Sequence, residues 1–398
     1  MDRRHFLRCA STLACSAAAH PFLTTVTLAG DAAALGENRL VAVILRGAAD
    51  GLAILPPVGD PSFAAHRPTL AQVPDAIPLD GMFALHPLLR GWADLWAAGE
   101  LAFAPAVSTP YRDKRSHFDG QDILEAGTAG DAGLGQARDG WLNRMLQSIP
   151  GLRGETAYAV GREALAVLDG PFPARQWSPD LSLDLSPQAR LLLQAISHDD
   201  PLFRDAALEA MELADLPAGA TVPLPEGERV ARRLAEVDRL ADFAADRLAA
   251  GTRIAAFSLS GWDTHRAQAG GIGLPLMRLE RLVLRLRERL GPVWARTTVL
   301  AMTEFGRTVR ENGSRGTDHG TGGALIAAGG AVRGGRILGR WPGLAEGDLY
   351  DGRDLLPTSD VRAWAAWAMR DLYGFDRSLL EGAVFPGLDM GDQPGLIL

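Results

Sequence analysis

Arg39-Leu40-Val41-Ala42-Val43-Ile44-Leu45 is an unbroken β-rich apolar run that stops at Arg46-Gly47. Alternation would bury one face of a strand. A run apolar at every position buries both, which predicts a central strand of a parallel sheet with helices on each side. Leu101-Ala102-Phe103-Ala104-Pro105-Ala106-Val107, Arg253-Ile254-Ala255-Ala256-Phe257-Ser258-Leu259 and Thr298-Val299-Leu300-Ala301-Met302 repeat the theme. Helical stripes lie between them. Leu279, Leu282, Val283, Leu286 and Leu290 share one helix face, and so do Val230, Leu234, Val237, Ala241, Ala244 and Leu248. Strand, helix and strand in succession predict an α/β fold, three-layer α/β/α around a central, mostly parallel sheet. Length alone allows two domains. The pattern favours a single domain over 38–398, with a helical insertion at about 188–251.

Outside that frame, the N-terminus carries its own message. Asp2-Arg3-Arg4-His5-Phe6-Leu7-Arg8 precedes a stretch without charge from Cys9 to Gly30, rich in Ala, Leu, Ser and Thr. This is the layout of a twin-arginine export signal over residues 1–34, too weakly apolar for a stable membrane span. Export would deliver the chain to the periplasm or the exterior, with the twin-arginine machinery as a partner. Both cysteines, Cys9 and Cys15, fall in the signal. Any metal in the remainder must therefore be held by His, Asp, Glu or Ser. The formal charge is −8, to which the first eight residues contribute +2, leaving −10 for the rest. That balance argues against nucleic acid as a ligand. Lys114 is the only lysine, which argues against Schiff-base chemistry.

In open α/β sheets, ligands collect beyond the carboxyl ends of the strands. Four segments stand there: Arg46-Gly47-Ala48-Ala49-Asp50-Gly51, Arg115-Ser116-His117-Phe118-Asp119-Gly120, Gly261-Trp262-Asp263-Thr264-His265, and Thr303-Glu304-Phe305-Gly306-Arg307 with Gly316-Thr317-Asp318-His319-Gly320 beyond it. Carboxylates and imidazoles from separate strand ends are the thiol-free donor set used by divalent Zn, Mn, Mg or Ca ions. Bland readings stand beside each fragment: Asp50-Gly51 reads equally as a turn, and Ser116 as a helix N-cap. Asp263, His265 and His319 carry the stronger signal, because each histidine has an Asp and a Gly close by. His66, His86 and His198 lack such company and are expected at the surface or in the core.

LRGAADGLAILPPVGDPSF, KRSHFDGQDILEAG, DGWLNRML, SGWDTHRAQ and TEFGRTVRENGSRGTDHGTGG run from Leu45 to Gly323, and TSDVRAWAAWAMRDLYG follows. In these motifs the chain resembles the exported DUF1501 proteins, which are placed in the alkaline phosphatase-like, or sulfatase-like, superfamily. The resemblance implies a mostly parallel sheet, two neighbouring metal ions and a nucleophile at a helix start. Carried over by position, Asp50 resembles the ligand after the first strand and Ser116 the nucleophile, with His117 competing for that place. Asp263 and His265 resemble a ligand pair with His319 as its later histidine, and Glu304 stands where an Asp is expected. Phe305 replaces a second metal histidine. That leaves one metal site incomplete unless Asp318 and His319 form a displaced pair.

The expectation is an exported metal-dependent hydrolase of phosphate or sulfate esters, with an anionic small molecule or glycan ester as substrate. Ser116 or His117 and Arg307 would act on the substrate, and Asp50, Asp263, His265, Glu304, Asp318 and His319 would bind metal. The rival is a binding or assembly protein that keeps the fold and has lost part of the site.

Overall fold

The computed structural model describes residues 35–112, 115–129, 139–179 and 226–398. The signal region with Cys9 and Cys15, Lys114, His198, and 188–225 of the expected insertion lie outside the described residues. The chain divides into two units, 1–30 with 180–226 and 31–179 with 227–398. All described residues except Glu226 belong to the second.

Among the described residues, nine strands form the main sheet: β1 (Arg39–Arg46), β2 (Leu101–Ser108), β3 (Ala157–Val160), β4 (Arg175–Trp177), β5 (Ile254–Ser260), β6 (Thr297–Thr303), β7 (Gly323–Ala328), β8 (Arg336–Ile337) and β9 (Ser359–Asp360). Their order is β8-β2-β7-β6-β1-β5-β3-β4, with β9 also paired to β2. Every pairing is parallel except those of β7, which runs antiparallel to both β6 and β2. The four apolar runs all form strands of this sheet, and the α/β class with a mostly parallel sheet between helices holds.

Period-two geometry explains why β1 must be apolar throughout. Leu40, Ala42 and Ile44 enter one core with Trp141 and Met145 of α3 (Trp141–Gln147) and Trp364 and Met369 of α6 (Val361–Tyr373). Val41, Val43 and Leu45 enter the other, with Val237, Ala241 and Leu248 of α4 (Glu226–Ala249) and Leu279, Leu282 and Leu286 of α5 (Gly273–Leu290). Each fully buried aliphatic side chain contributes about 1.5–3 kcal/mol. From Glu226 onward, then, the helical stretch is a layer of the main core. Among the described residues, no helix is long and apolar enough to cross a membrane.

The carboxyl ends of β1, β2, β5 and β6 lie along one edge. Because β7 returns antiparallel beside β6, the segment between Thr303 and Gly323 leaves and re-enters the sheet at that edge. Arg307 and His319 pair across it in an antiparallel bridge. Backbone crosses backbone there: a Cβ on Gly306 would stand 1.8 Å from the Gly322 carbonyl oxygen, and one on Gly320 2.3 Å from the Arg307 carbonyl carbon. Gly306→Ala is accordingly expected to lower stability by about 3 kcal/mol, as overpacking of backbone does. Urea titration, with the slope of the transition unchanged, measures it.

Candidate metal centre

The centre begins with a backbone turn. Gly47 and Ala48, directly after β1, both have positive φ, 114° and 57°. Their successive N–H groups point at one oxygen, Glu304 Oε1, at 2.9 and 3.0 Å, an anion-binding nest of backbone donors. Glycine is required at position 47, where a Cβ would lie 2.6 Å from the Asp263 amide nitrogen. The other carboxylate oxygen of Glu304 is 3.0 Å from Thr303 Oγ1, which also accepts the Ala49 N–H at 2.9 Å. Burial opposes the fully enclosed Glu304 charge. Its bond to His117 and those to the nest outweigh that cost and hold its pKa below the usual carboxylate range.

From this anchored carboxylate a row of imidazoles is set. His117 opens α2 (His117–Ala126), whose N-cap is Ser116, with Oγ accepting from the Asp119 N–H at 3.4 Å. His117 Nδ1 lies 2.8 Å from Glu304 Oε1. A carboxylate can only accept, so the Nδ1 proton is fixed there and Nε2 keeps its lone pair in the neutral ring. That Nε2 is buried without a hydrogen-bond partner. His319 repeats the device, with Nδ1 2.9 Å from the Arg115 carbonyl and Nε2 turned inward, 3.2 Å from Asp263 Oδ1. His265 completes the row. Its Nδ1 sits 3.2 Å from Asp318 Oδ1, and its Nε2 lies 3.0 Å from both His319 Nε2 and Asp263 Oδ1. Asp318 is steadied by the Asn312 amide at 2.9 Å, and that bond, more than any other influence, holds its pKa low.

Asp263 Oδ1 is the hub. It accepts from Arg307 at 2.6 Å and lies 3.5 Å from His117 Nε2. Burial works against its charge, but the bond and charge of Arg307 overcome that and keep its pKa below the usual range. His117, Asp263 and His319 each offer a ligand atom, all within 4.8 Å of one another. Bonds of about 2.0–2.1 Å to one tetrahedral ion require ligand atoms about 3.3 Å apart. Within that trio, the 3.2 Å from His319 Nε2 and the 3.5 Å from His117 Nε2 to Asp263 Oδ1 fit that requirement. Two lone pairs turned toward an anionic oxygen repel one another unless a cation lies among them. Glu304 and the Arg115 carbonyl stand behind the His117 and His319 rings as the outer hydrogen-bond acceptors that metal-binding histidines use, and Asp318 stands behind His265.

Several expectations need correction. Asp50 does not face this cluster: it is buried in a two-pronged pair with Arg67, at 2.6 and 3.1 Å, and also accepts from Gln268 and the Leu52 N–H. Glu304 spends its oxygens on peptide N–H groups, Thr303 and His117, which sets it behind the His117 ring and not among the candidate ligand atoms. Asp318 stands in the same way behind His265. Arg307 is buried and donates to the carbonyls of Gly47, Ala48, Trp262 and Thr317 as well as to Asp263, so it ties loops together and has no reach to a substrate anion. His117, expected to act on the substrate, joins the candidate ligand atoms, while the Ser116 oxygen caps the helix. Phe305, which looked like a missing histidine, stacks on His117 with ring centroids 5.3 Å apart and forms the wall that fixes its plane. Outside the centre, His66 Nε2 meets the Leu344 carbonyl and His86 Nδ1 accepts from the Leu88 N–H. Sequence reading missed Gln121, which joins Glu304 at 3.4 Å to Arg46 at 2.6 Å, and Asn312; no short motif contains either pairing.

A family model described as a protein of unknown function, DUF1501, matches residues 37–365. The chain belongs to the DUF1501 family. The motifs that build the centre, through His319, all lie within that match. No functionally curated protein matches this DUF1501 chain. Among solved structures, the lipoteichoic acid synthase LtaP from Listeria monocytogenes superposes with a TM-score of 0.33 at 9% identity, covering 70% of this chain and 60% of that one. Ps i-CgsB, solved in complex with k-i-k-neocarrahexaose, superposes with a TM-score of 0.38 at 10% identity, covering 85% and 72%. The DUF1501 chain thus spans about 60% of the length of LtaP. Superpositions this loose carry no chemistry from one protein to another.

Two outcomes are expected. Asp50→Ala leaves Arg67 charged and buried, and should cost about 3–5 kcal/mol of stability in denaturant titration, while elemental analysis finds the metal content of the wild type; loss of metal would return Asp50 to the ligand set. The second concerns protons. The hydrogen bond it donates to Glu304 raises the His117 pKa above its ordinary 6.5, against the effect of burial, while burial lowers that of His319. Between 6.5 and the raised value, His117 is protonated in the metal-free protein, and the His117–Glu304 bond stabilises the fold until pH rises through the raised pKa. Metal binding at Nε2 should therefore release about one proton in that window. In Glu304→Gln the release should vanish at the same pH and affinity fall about 10- to 100-fold. Calorimetry in buffers of different ionisation enthalpy reads both.

Proposed function

We propose that this is an exported, metal-dependent hydrolase of phosphate or sulfate esters with an alkaline phosphatase-like site. The observation that carries the reading is the convergence of His117 Nε2, His319 Nε2 and Asp263 Oδ1, each backed by a buried or hydrogen-bonded partner. An imidazole-rich set suits Zn or another transition ion better than Ca or Mg, which prefer all-oxygen shells. Three protein ligands leave a coordination position for an oxygen of the substrate. Bound there, the ion would supply Lewis acidity, polarising the ester and lowering the pKa of the attacking group.

The protein's own groups do the rest. His265, oriented by Asp318 at Nδ1, presents Nε2 beside Asp263 and is placed to give a proton to the departing oxygen. Arg307 holds Asp263 in register through its four carbonyl contacts. Arg115 and Arg353 bring positive charge to the rim, where both approach Asp354 and Arg353 also meets the His319 carbonyl. Ser116 is occupied as a cap, so water is the nucleophile in this reading. The twin-arginine layout of residues 1–34 supports export, and folding before transport would let the nitrogen and oxygen ligands fill in the cytoplasm.

The test uses the full chain reconstituted separately with Zn, Mn, Mg and Ca, and assayed on aryl phosphates and aryl sulfates. Turnover should appear with a transition ion, disappear with chelator, and fall about 10²- to 10⁴-fold in His265→Ala with metal content retained. Stoichiometric metal without turnover above the His319→Ala background would overturn the hydrolase reading and favour a binding protein whose ion is structural.

A further inference from the structure

Beside the metal centre, at the carboxyl ends of β3 and β5, a second cavity of about 400 Å³ lies between the strand ends and helices α4 and α5. Its size falls within the range of small-molecule pockets. Apolar surface comes from Val160, Leu240, Leu274 and Pro275, and charge from arginines and glutamates of both helices and the β3 loop. The charges do not cancel. Glu163 is taken by Arg46 at 3.4 Å and by Ser258, and Glu236 by Arg233 at 3.3 Å. Among the described residues no carboxylate lies within ion-pair distance of Arg278, and Glu236 and Glu163 act on it from farther away. Its only hydrogen bond among the described residues runs to the Ser260 carbonyl at 3.3 Å, and its Nε–H is buried without a partner. Burial pushes its pKa down, against the pull of Glu236.

A half-buried guanidinium whose Nε–H finds no acceptor, on the wall of a roomy, half-apolar cavity, presents donors suited to an anion. We propose that this cavity binds the anionic group of a small polar molecule, a carboxylate, sulfate or phosphate on a ring of sugar size, with Arg278 as its principal partner. The carbon skeleton would lie against Val160, Leu240 and Leu274. The site stands apart from the metal centre and does not depend on the hydrolase reading. Gly261, which lines the cavity, is two residues from Asp263, so at most about 7 Å of backbone separates them. Polar contacts also join the two places: Arg46 bonds Ser258 at 2.8 Å and Gln121 at 2.6 Å, and Gln121 reaches Glu304. A ligand with two anionic groups could therefore span both.

Titration calorimetry of the full chain at low ionic strength, with sodium sulfate and sodium glucuronate as probes and sodium chloride as control, tests the assignment. Both probes should bind the wild type. Both should bind His319→Ala equally well, because only the metal cluster is dismantled. Arg278→Gln should weaken glucuronate about tenfold or more, the loss expected for a hydrogen bond to a charged group. Leu274→Trp, which fills the cavity and leaves Arg278 in place, should do the same and decides the matter if Arg278→Gln does not fold. Binding lost in His319→Ala but kept in Arg278→Gln would put the anion at the metal cluster and overturn the proposal. So would the absence of binding, or affinity indifferent to both cavity variants.

Discussion

A carboxylate buried under β-sheet loops is costly unless every lone pair is used, and Glu304 shows how this chain meets that demand. The nest of Gly47 and Ala48, the Thr303 hydroxyl and the His117 ring occupy its oxygens. In doing so they fasten together the loop after β1, the end of β6 and the first turn of α2. The strained Ala48 backbone, at φ 57°, is held because relaxing it would strip a buried charge of a donor. Arg307 then works on the next loop, gathering carbonyls from the β1 and β5 loops. The candidate ligand atoms are thus presented by a scaffold whose interior is ionic, while the sheet beneath it is apolar.

The sheet was legible because burial on two faces leaves a plain mark: a strand such as β1 is apolar at every position from Leu40 to Leu45, and four such runs announce themselves. Shorter members escaped. β3 has four residues, and β7 is the small-residue segment GALIAA, whose antiparallel direction no local pattern encodes. The candidate site was legible as a neighbourhood only. Asp263, His265 and His319 were singled out by their company, and they converge. Asp50 and Glu304 read identically as carboxylates at strand ends, yet one faces Arg67 and the other a nest. What separates them is tertiary: which partner, arriving from tens or hundreds of residues away, claims the oxygens.

The same limit explains Arg307 and Phe305. An arginine two residues beyond a strand-end phenylalanine suggests an anion clamp, because exposed arginines serve that way. Burial reverses the reading, since a guanidinium enclosed among carbonyls is a cross-link between loops. Phe305 breaks an expected metal motif, and the stacking contact supplies the reason. An aromatic wall restricts the plane of the His117 imidazole while Glu304 fixes its tautomer, so two neighbours in sequence divide the task of aiming one nitrogen.

The antiparallel course of β7 has a consequence for how such a protein can change. A parallel neighbour would need a crossover along the full height of the sheet, usually with a helix packed on its face. Here the excursion from Thr303 to Gly323 starts and finishes on one rim, and it holds Asn312, Asp318 and His319. Lengthening a loop whose ends stay fixed costs only slowly growing closure entropy, about 0.6 kcal/mol for each doubling. Variation in that segment can therefore reshape the surroundings of the histidine row while both hydrophobic layers stay as they are, so that a lineage could diversify its chemistry without renegotiating its fold.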